Sequence, residues 1–322
     1  METDLQMDGA AAVAKAAQAP LAATWRRWLA FLIDWIILSL GGYLVGAVLF
    51  DTLARLGPWS RVIGLIVAVT YFGIADSGWG GASSPGKKVL GIRVVDEAGR
   101  VIGMGRSFLR ASIICAPLIL NQFFIAQQGE WGHLAVNGLL GGWMLASFYV
   151  LAFNQATKQG LHDLATHTYV IRGRATRQSL AGYMLWRPHM VIAAVLLAIS
   201  VPMGLSGIPV FLHFSPGPVR VAEGPPAPSQ GSVQVVSTLL RWKSTDTGRP
   251  GECMFARIQL AGPGVNNELV ARGIAMRLVA QSHCQVVTNL DVRMQYGFDM
   301  GFSSGTAYRD FVIDEADLTR QP

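Results

Sequence analysis

The sequence predicts a polytopic membrane protein: an all-α bundle of about five transmembrane helices, followed by a small α+β domain outside the membrane. Three observations lead there. The 322 residues are 51% apolar and only 14% charged, with a mean hydropathy of +0.37, a mixture too apolar for an ordinary soluble domain. Five apolar runs, at 27–50, 59–75, 107–126, 134–153 and 190–214, approach or reach the length of a bilayer-crossing helix. Beyond a proline-rich break at 215–230 the charge changes character: residues 1–214 hold 16 Lys/Arg against 10 Asp/Glu, whereas 215–322 hold ten of each. The excess base belongs to the membrane half, where it sets topology, and this argues against nucleic-acid binding.

Residues 1–24 read as an Ala-rich disordered tail without a cleavable signal pattern, so the first span is expected to act as its own insertion signal. That span opens on Arg26 and Arg27 and carries an acid, Asp34, inside it. Seven residues fall roughly 20° short of two helical turns, so Arg27 and Asp34 share one stripe, about 10 Å apart along the axis. An ionised carboxylate in hydrocarbon costs a few kcal/mol on the mildest scale, which directs Asp34 toward protein, water or a cation. Trp25, Trp28, Trp35 and Trp59 suit interface anchors near span ends.

The second span ends at Asp76 and a run of glycines. The alternation from Val89 to Val95, followed by Asp-Glu-Ala-Gly, predicts a small hairpin outside the membrane. Lys87, Lys88 and Arg93 on this segment read as interfacial residues within reach of anionic lipid headgroups. The third span contains Arg110 and Pro117, and the fourth is rich in glycine, which places both inside the bundle. Cys115 reads as a small packing residue. A basic loop at 154–188 carries Asp163, and the fifth span holds Pro202 and Pro209. The 76–106 and 154–188 loops are basic and the 128–133 turn has no Lys or Arg, although the 51–61 turn has Arg55 and Arg61. The positive-inside rule then gives an inner-membrane protein with a cytoplasmic N-terminus and a periplasmic C-terminal domain.

The domain division is 25–175 for the main membrane domain, 176–214 for a linker and fifth span, 215–230 for a semi-extended spacer and 231–322 for a soluble domain. That last domain reads as a helix at 266–280 covering an antiparallel sheet. Cys253 and Cys284 lie on segments able to neighbour each other on the oxidising side, so a disulfide is expected, with buried thiols as the alternative.

Three motifs then resemble one family. Arg27-Trp-Leu-Ala-Phe-Leu-Ile-Asp34, Gly81-Ala-Ser-Ser-Pro-Gly-Lys-Lys-Val-Leu-Gly-Ile-Arg-Val-Val-Asp96 and Gly160-Leu-His-Asp163 with Thr168 are similar, in that order, to the motifs of RDD membrane domains. The resemblance covers about residues 24–172 and makes Arg27, Asp34 and Asp163 the signature residues. It implies a multi-span helical fold and, as an expectation, transport of a small ion or ligand. Two departures stand out: Ser83-Ser84 where a Thr is usual, and His167 where a glycine is usual, which puts a tight turn there in question.

Two readings of the signature residues are open. In one, burial raises the Asp34 pKa for proton or cation exchange, with Arg27 and Asp163 gating access. In the other, Arg27 neutralises Asp34 or Asp163 and fastens the first span to the end of the fourth. The sequence leans to the second, because it shows no internal repeat and only Asp34 well inside a span. The residues 81–87 imitate a phosphate-binding loop, but Lys88 stands at the Mg-binding position and a span precedes where a strand is required, so no nucleotide is expected. His162 and His167 are not a one-turn ligand pair, so no metal or other cofactor is expected. No Ser-His-Asp or Cys-His constellation is recognisable, which makes an enzyme the least favoured class. The partners expected are lipid, a small ion or ligand, or a protein docking on the outer domain, in which case the molecule is a scaffold or assembly factor.

Overall fold

The computed structural model describes residues 21–120, 131–180, 183–205, 219–224, 235–243, 251–281, 284–285 and 289–314. The chain forms two compact units. The first is Met1–Gly41, Arg61–Val210 and Met300–Phe302; the second is Gly42–Ser60, Phe211–Asp299 and Ser303–Pro322.

Helix α1 is Thr24–Val48. Its buried stripe in the first unit is Arg27, Ala30, Asp34 and Leu38, at helical spacing, while Leu29, Leu32, Ile36 and Leu40 are exposed on another stripe. An exposed apolar stripe on an apolar helix is the surface a lipid bilayer covers. After α2 (Phe50–Arg55) come a 3-10 turn and α3 (Ser60–Ala75). Among the described residues, three helices are long and apolar enough to cross a membrane: Thr24–Val48, Gly57–Ala75 and Ala135–Phe153. The third expected span is α5 (Met104–Leu120), 17 residues with Arg110 buried in it, and its expected remainder lies outside the described residues. α6 is Trp131–Phe153, and the fifth expected span is represented by α9 (Pro188–Leu205), whose apolar core Pro188–Pro202 is shorter. Glycine in the fourth span does mark close packing: a Cβ at Gly142 would collide with the side chain of Ser200 on α9.

Between α3 and α5 lie α4 (Pro85–Val89) and β1 (Ile92–Asp96); between α6 and α9 lie α7 (Leu161–Thr166), β2 (Thr168–Arg172) and α8 (Arg177–Leu180). The hairpin expected at 89–95 does not form. The Pro-Gly-Lys-Lys stretch winds into α4, Pro85 fitting the first helical turn. β1 pairs antiparallel with β2, from Ile92 opposite Arg172 to Asp96 opposite Thr168. The Asp-Glu-Ala-Gly turn is present, and the Asp96 carboxylate accepts from the N–H groups of Ala98 and Arg100, both at 2.9 Å. Ala22 donates to the Val170 carbonyl at 2.9 Å, so the start of α1 is tied to β2. The expected tail at 1–24 lies outside the described residues up to residue 20.

In the second unit, strands β3 (Val219–Gly224), β4 (Val235–Lys243), β5 (Gly251–Leu260), β6 (Cys284–Gln285), β7 (Asn289–Asp299) and β8 (Ser304–Asp314) build one sheet, ordered β3-β4-β5-β7-β8 with β6 beside β5. Helix α10 (Glu268–Gln281) supplies Val270, Ala271, Ile274 and Ala275 to a core shared with Ile258, Leu290, Val292 and Met294. Two expectations are corrected. Residues 219–224, read as part of a spacer, form β3 paired with β4. The sheet is not wholly antiparallel, because β5 and β7 run parallel, joined by a crossover through α10. Cys253 is buried and disulfide-bonded, while Cys115 is free. The Cys284 backbone lies opposite Gly251; its side chain lies outside the described residues. The same unit holds the turn after α1: Tyr296 donates to Asp51 at 3.1 Å, and Phe50 meets the rings of Tyr296 and Phe298 edge-on.

Candidate functional site: a buried ion-pair chain beside a cavity

Arg27 and Asp34 are both buried on the same stripe, yet they do not pair. The axial separation of about 10 Å exceeds the reach of a direct contact, and each finds partners from a different segment. Arg27 donates to Asp163 and to the Lys158 carbonyl, with His162 Nε2 at 3.4 Å. Asp34 accepts three bonds from uncharged donors: Tyr71 Oη at 2.8 Å, Ser84 Oγ at 2.5 Å and the Gly86 N–H at 2.8 Å. Gly86 is needed for this approach, since a Cβ there would strike the Ala30 carbonyl of α1 and come within 3.0 Å of the Asp34 carboxyl carbon. The imitation phosphate loop therefore points its backbone at the chain's own carboxylate.

Asp163 sits at the first turn of α7, fully buried. It accepts the Gly160 N–H at 3.0 Å, which starts the helix, and the Thr168 hydroxyl at 3.3 Å from β2. The turn that follows α7 does form: His167 takes a left-handed φ of 52°, the conformation for which a glycine is otherwise suited. Its ring reaches Glu97 at 2.9 Å on the surface, away from His162.

Asp163 has a second cation, one not expected from the sequence. Arg110 of α5 reaches it through Nε at 3.1 Å and Nη2 at 2.9 Å, and through Nη1 reaches Asp76 at 2.6 Å. Asp76 in turn receives the Lys87 ammonium at 2.5 and 2.6 Å. The result is one alternating chain: Arg27, Asp163, Arg110, Asp76, Lys87. Only guanidinium, with its planar fork, can serve two carboxylates in this way. Lys87 is thereby corrected: it is 11% exposed and bound inward to Asp76, not set at the lipid interface. The short helix α4 turns adjacent residues to different sides, which leaves Lys88 exposed, while Arg93 is partly buried and donates to the Gly173 carbonyl.

Burial alone would push the Asp163 carboxyl up, but the Arg27 and Arg110 cations overcome it and hold it well below the usual carboxylate range. Burial pulls His162 down to about 3, against the pull of Asp163, so its ring is neutral at physiological pH. Burial also lowers the Lys87 pKa, with Asp76 opposing.

The chain of charges borders a cavity of about 310 Å³. Arg27, Asp34, Asp76, Lys87, Arg110 and His162 contribute to its lining, and the rest is almost wholly apolar, including Phe31 and Phe72 beside Phe148, Leu118 and Met144. Asp76 and Arg110 had a signal in the sequence: each is a charge at the edge of or inside an apolar run, which is a marker of an internal partner. Tyr71 and Ser84 had none, because a hydroxyl in a helix or loop is commonplace.

Residues 21–167 match the model of the RDD family, which spans all of the signature positions. Over this stretch the chain is similar to the RDD family. The chain is also similar to the uncharacterized protein YxaI of Bacillus subtilis (strain 168), 25% identical over 170 residues that make up 46% of this chain and 94% of the relative. No solved structure matches. The match ends just past α7, and the sheet domain falls outside the matched residues.

Proposed function

We propose that the RDD-like domain is a carrier for a small ion or ligand, with the cavity beside the ion-pair chain as its holding site. The observation that carries this is the cavity itself: an apolar chamber next to α1 and α3 that ends on six ionisable side chains. A purely structural clasp between Arg27 and Asp163 requires no such space. Asp34 reaches the cavity held by two hydroxyls and an N–H, with no cation among these donors. The orientation belongs to the same reading: the base-rich loops favour a cytoplasmic N-terminus, and five crossings would then leave the sheet domain outside.

The test is uptake by proteoliposomes of protons, Na⁺ and a panel of small organic ions. The reading predicts solute movement above empty liposomes, abolished by Asp34→Asn at unchanged protein recovery. Failure of every solute to move, with Asp34→Asn lowering recovery instead, would overturn it.

One observation favours a second reading, a scaffold that recruits a protein partner through the outer domain. Among the described residues β8 pairs with β7 alone and exposes Tyr308 and Val312, leaving an eleven-residue edge open to strand addition. Deleting residues 215–322 should then lose a co-purifying partner; retention of the same partners by the truncated chain contradicts the scaffold.

A further inference from the structure

The hydrogen bonds around the cavity leave donors in excess of acceptors. Lys87 commits two of its three N–H bonds to Asp76. Arg110 commits three of its five to Asp76 and Asp163. Arg27 directs its bonds to Lys158, Asp163 and His162 and has further N–H groups beyond those. Among the acceptors, Asp34 already takes three bonds and Asp76 three, which nearly exhausts each carboxylate. Asp163, the partner that balances the two arginines, stands behind them and is not part of the lining. The cavity therefore offers a guest three cations, two largely occupied carboxylates and a neutral imidazole.

A bare metal ion or proton does not explain the remainder. The wall is built of rings and aliphatic chains, Phe31, Phe148, Ile114, Leu118 and Leu151 among them, whose side chains have no oxygen to offer. Its volume of about 310 Å³ lies at the small end of ligand pockets, so it suits one chain or one ring system and excludes a two-tailed lipid.

Resting on the carrier reading above, we propose that the guest is a single-chain anionic amphiphile. Its carboxylate or phosphate head takes the spare N–H groups of Arg110 and Lys87, and its apolar body lies along the aromatic wall. The shared chemistry is an acceptor-rich anion on a short hydrocarbon tail.

The experiment is equilibrium dialysis of the full chain in phosphatidylcholine nanodiscs, with empty nanodiscs subtracted. The probes are octanoate, octyl phosphate, octanol, octyltrimethylammonium, acetate and inorganic phosphate. Octanoate and octyl phosphate should bind saturably, at least tenfold tighter than the alcohol, the cation or either free head. Met144→Trp and Ser147→Trp fill the cavity from residues that are not members of the ion-pair chain; each should weaken octanoate at least tenfold in protein that elutes and melts like the parent. Equal binding of octyltrimethylammonium, equal binding of acetate or phosphate, or octanoate binding unchanged in both filled variants overturns the proposal. The two readings fail separately. Anion-selective binding by a protein that moves no solute retires the carrier and keeps the ligand class; solute uptake without such selectivity does the reverse.

Discussion

At the scale of single residues, the two signature aspartates have opposite electrostatic situations and should respond differently to the same change. Asp163 is the shared counter-charge of two buried arginines. Asp163→Asn leaves Arg27 without a carboxylate and Arg110 with Asp76 alone, and loss of one partner from a buried pair costs about 3–5 kcal/mol. The expected result is a large fall in the thermal midpoint and in the yield of folded protein. Asp34 meets only hydroxyl and N–H donors, so Asp34→Asn exchanges one acceptor for an amide, strands no buried cation and should shift the same melt far less than Asp163→Asn, leaving recovery unchanged. His162 adds a pH dependence. Its folded pKa of about 3 lies below the unfolded 6.5, so the unfolded chain binds the extra proton between those values. Its contribution to stability is complete above pH 6.5 and is lost as pH falls toward 3, with a slope of at most about 1.4 kcal/mol per pH unit. Asp163, held low, adds its own loss only below the ordinary carboxylate range. His162→Gln should flatten the stability profile between about pH 4 and 6.5 and leave the steeper acid limb intact.

At the scale of elements, what was legible depended on whether the information was local. The apolar runs and the Asp-Glu-Ala-Gly turn are local: the first, second and fourth runs appear as span-length helices, and the turn forms where expected. The hairpin expected at 89–95 is the instructive miss. Alternation in Val89–Val95 reports a strand but not its partner, and the partner proved to be β2, with Val94 opposite Val170. The same limit hid the partner of Arg110, because what rescues a guanidinium in an apolar helix is a carboxylate 53 residues further on. Lys87 was misplaced for a related reason: a dibasic pair beside a span looks interfacial until a short helix turns one member inward. β1 and β2 are thus the frame that carries Asp163 to the arginines. A chain ending before residue 160 keeps the candidate spans but loses α7, β2 and Asp163. It should fail to accumulate as folded protein, read by size-exclusion of a fluorescent fusion in mild detergent.

At the scale of the whole molecule, the membrane unit and the sheet domain rest on different forces. The first relies on lipid-facing apolar helices and a buried polar chain, the second on a core shared by α10 and one sheet face. The sheet domain's fold class was legible from strand and helix patterns, whereas the β5–β7 parallel pairing was not, since local sequence does not encode strand direction. Cys253 belongs to that second unit, and a disulfide typically contributes about 2–4 kcal/mol. Cys253→Ser, or reductant, should lower the unfolding midpoint of the sheet domain while leaving that of the membrane unit unchanged.

A guest-sized cavity against the buried ion-pair chain is what the carrier and its ligand both require, and the rate of thiol modification at the cavity wall tests for it most directly. Met144→Cys in a Cys115→Ala background, held in sealed vesicles, should react with a small water-soluble thiol reagent, and Ser147→Trp should slow that reaction at least tenfold. If the introduced thiol reacts negligibly from both faces, or at the same rate with and without the tryptophan, no such chamber exists.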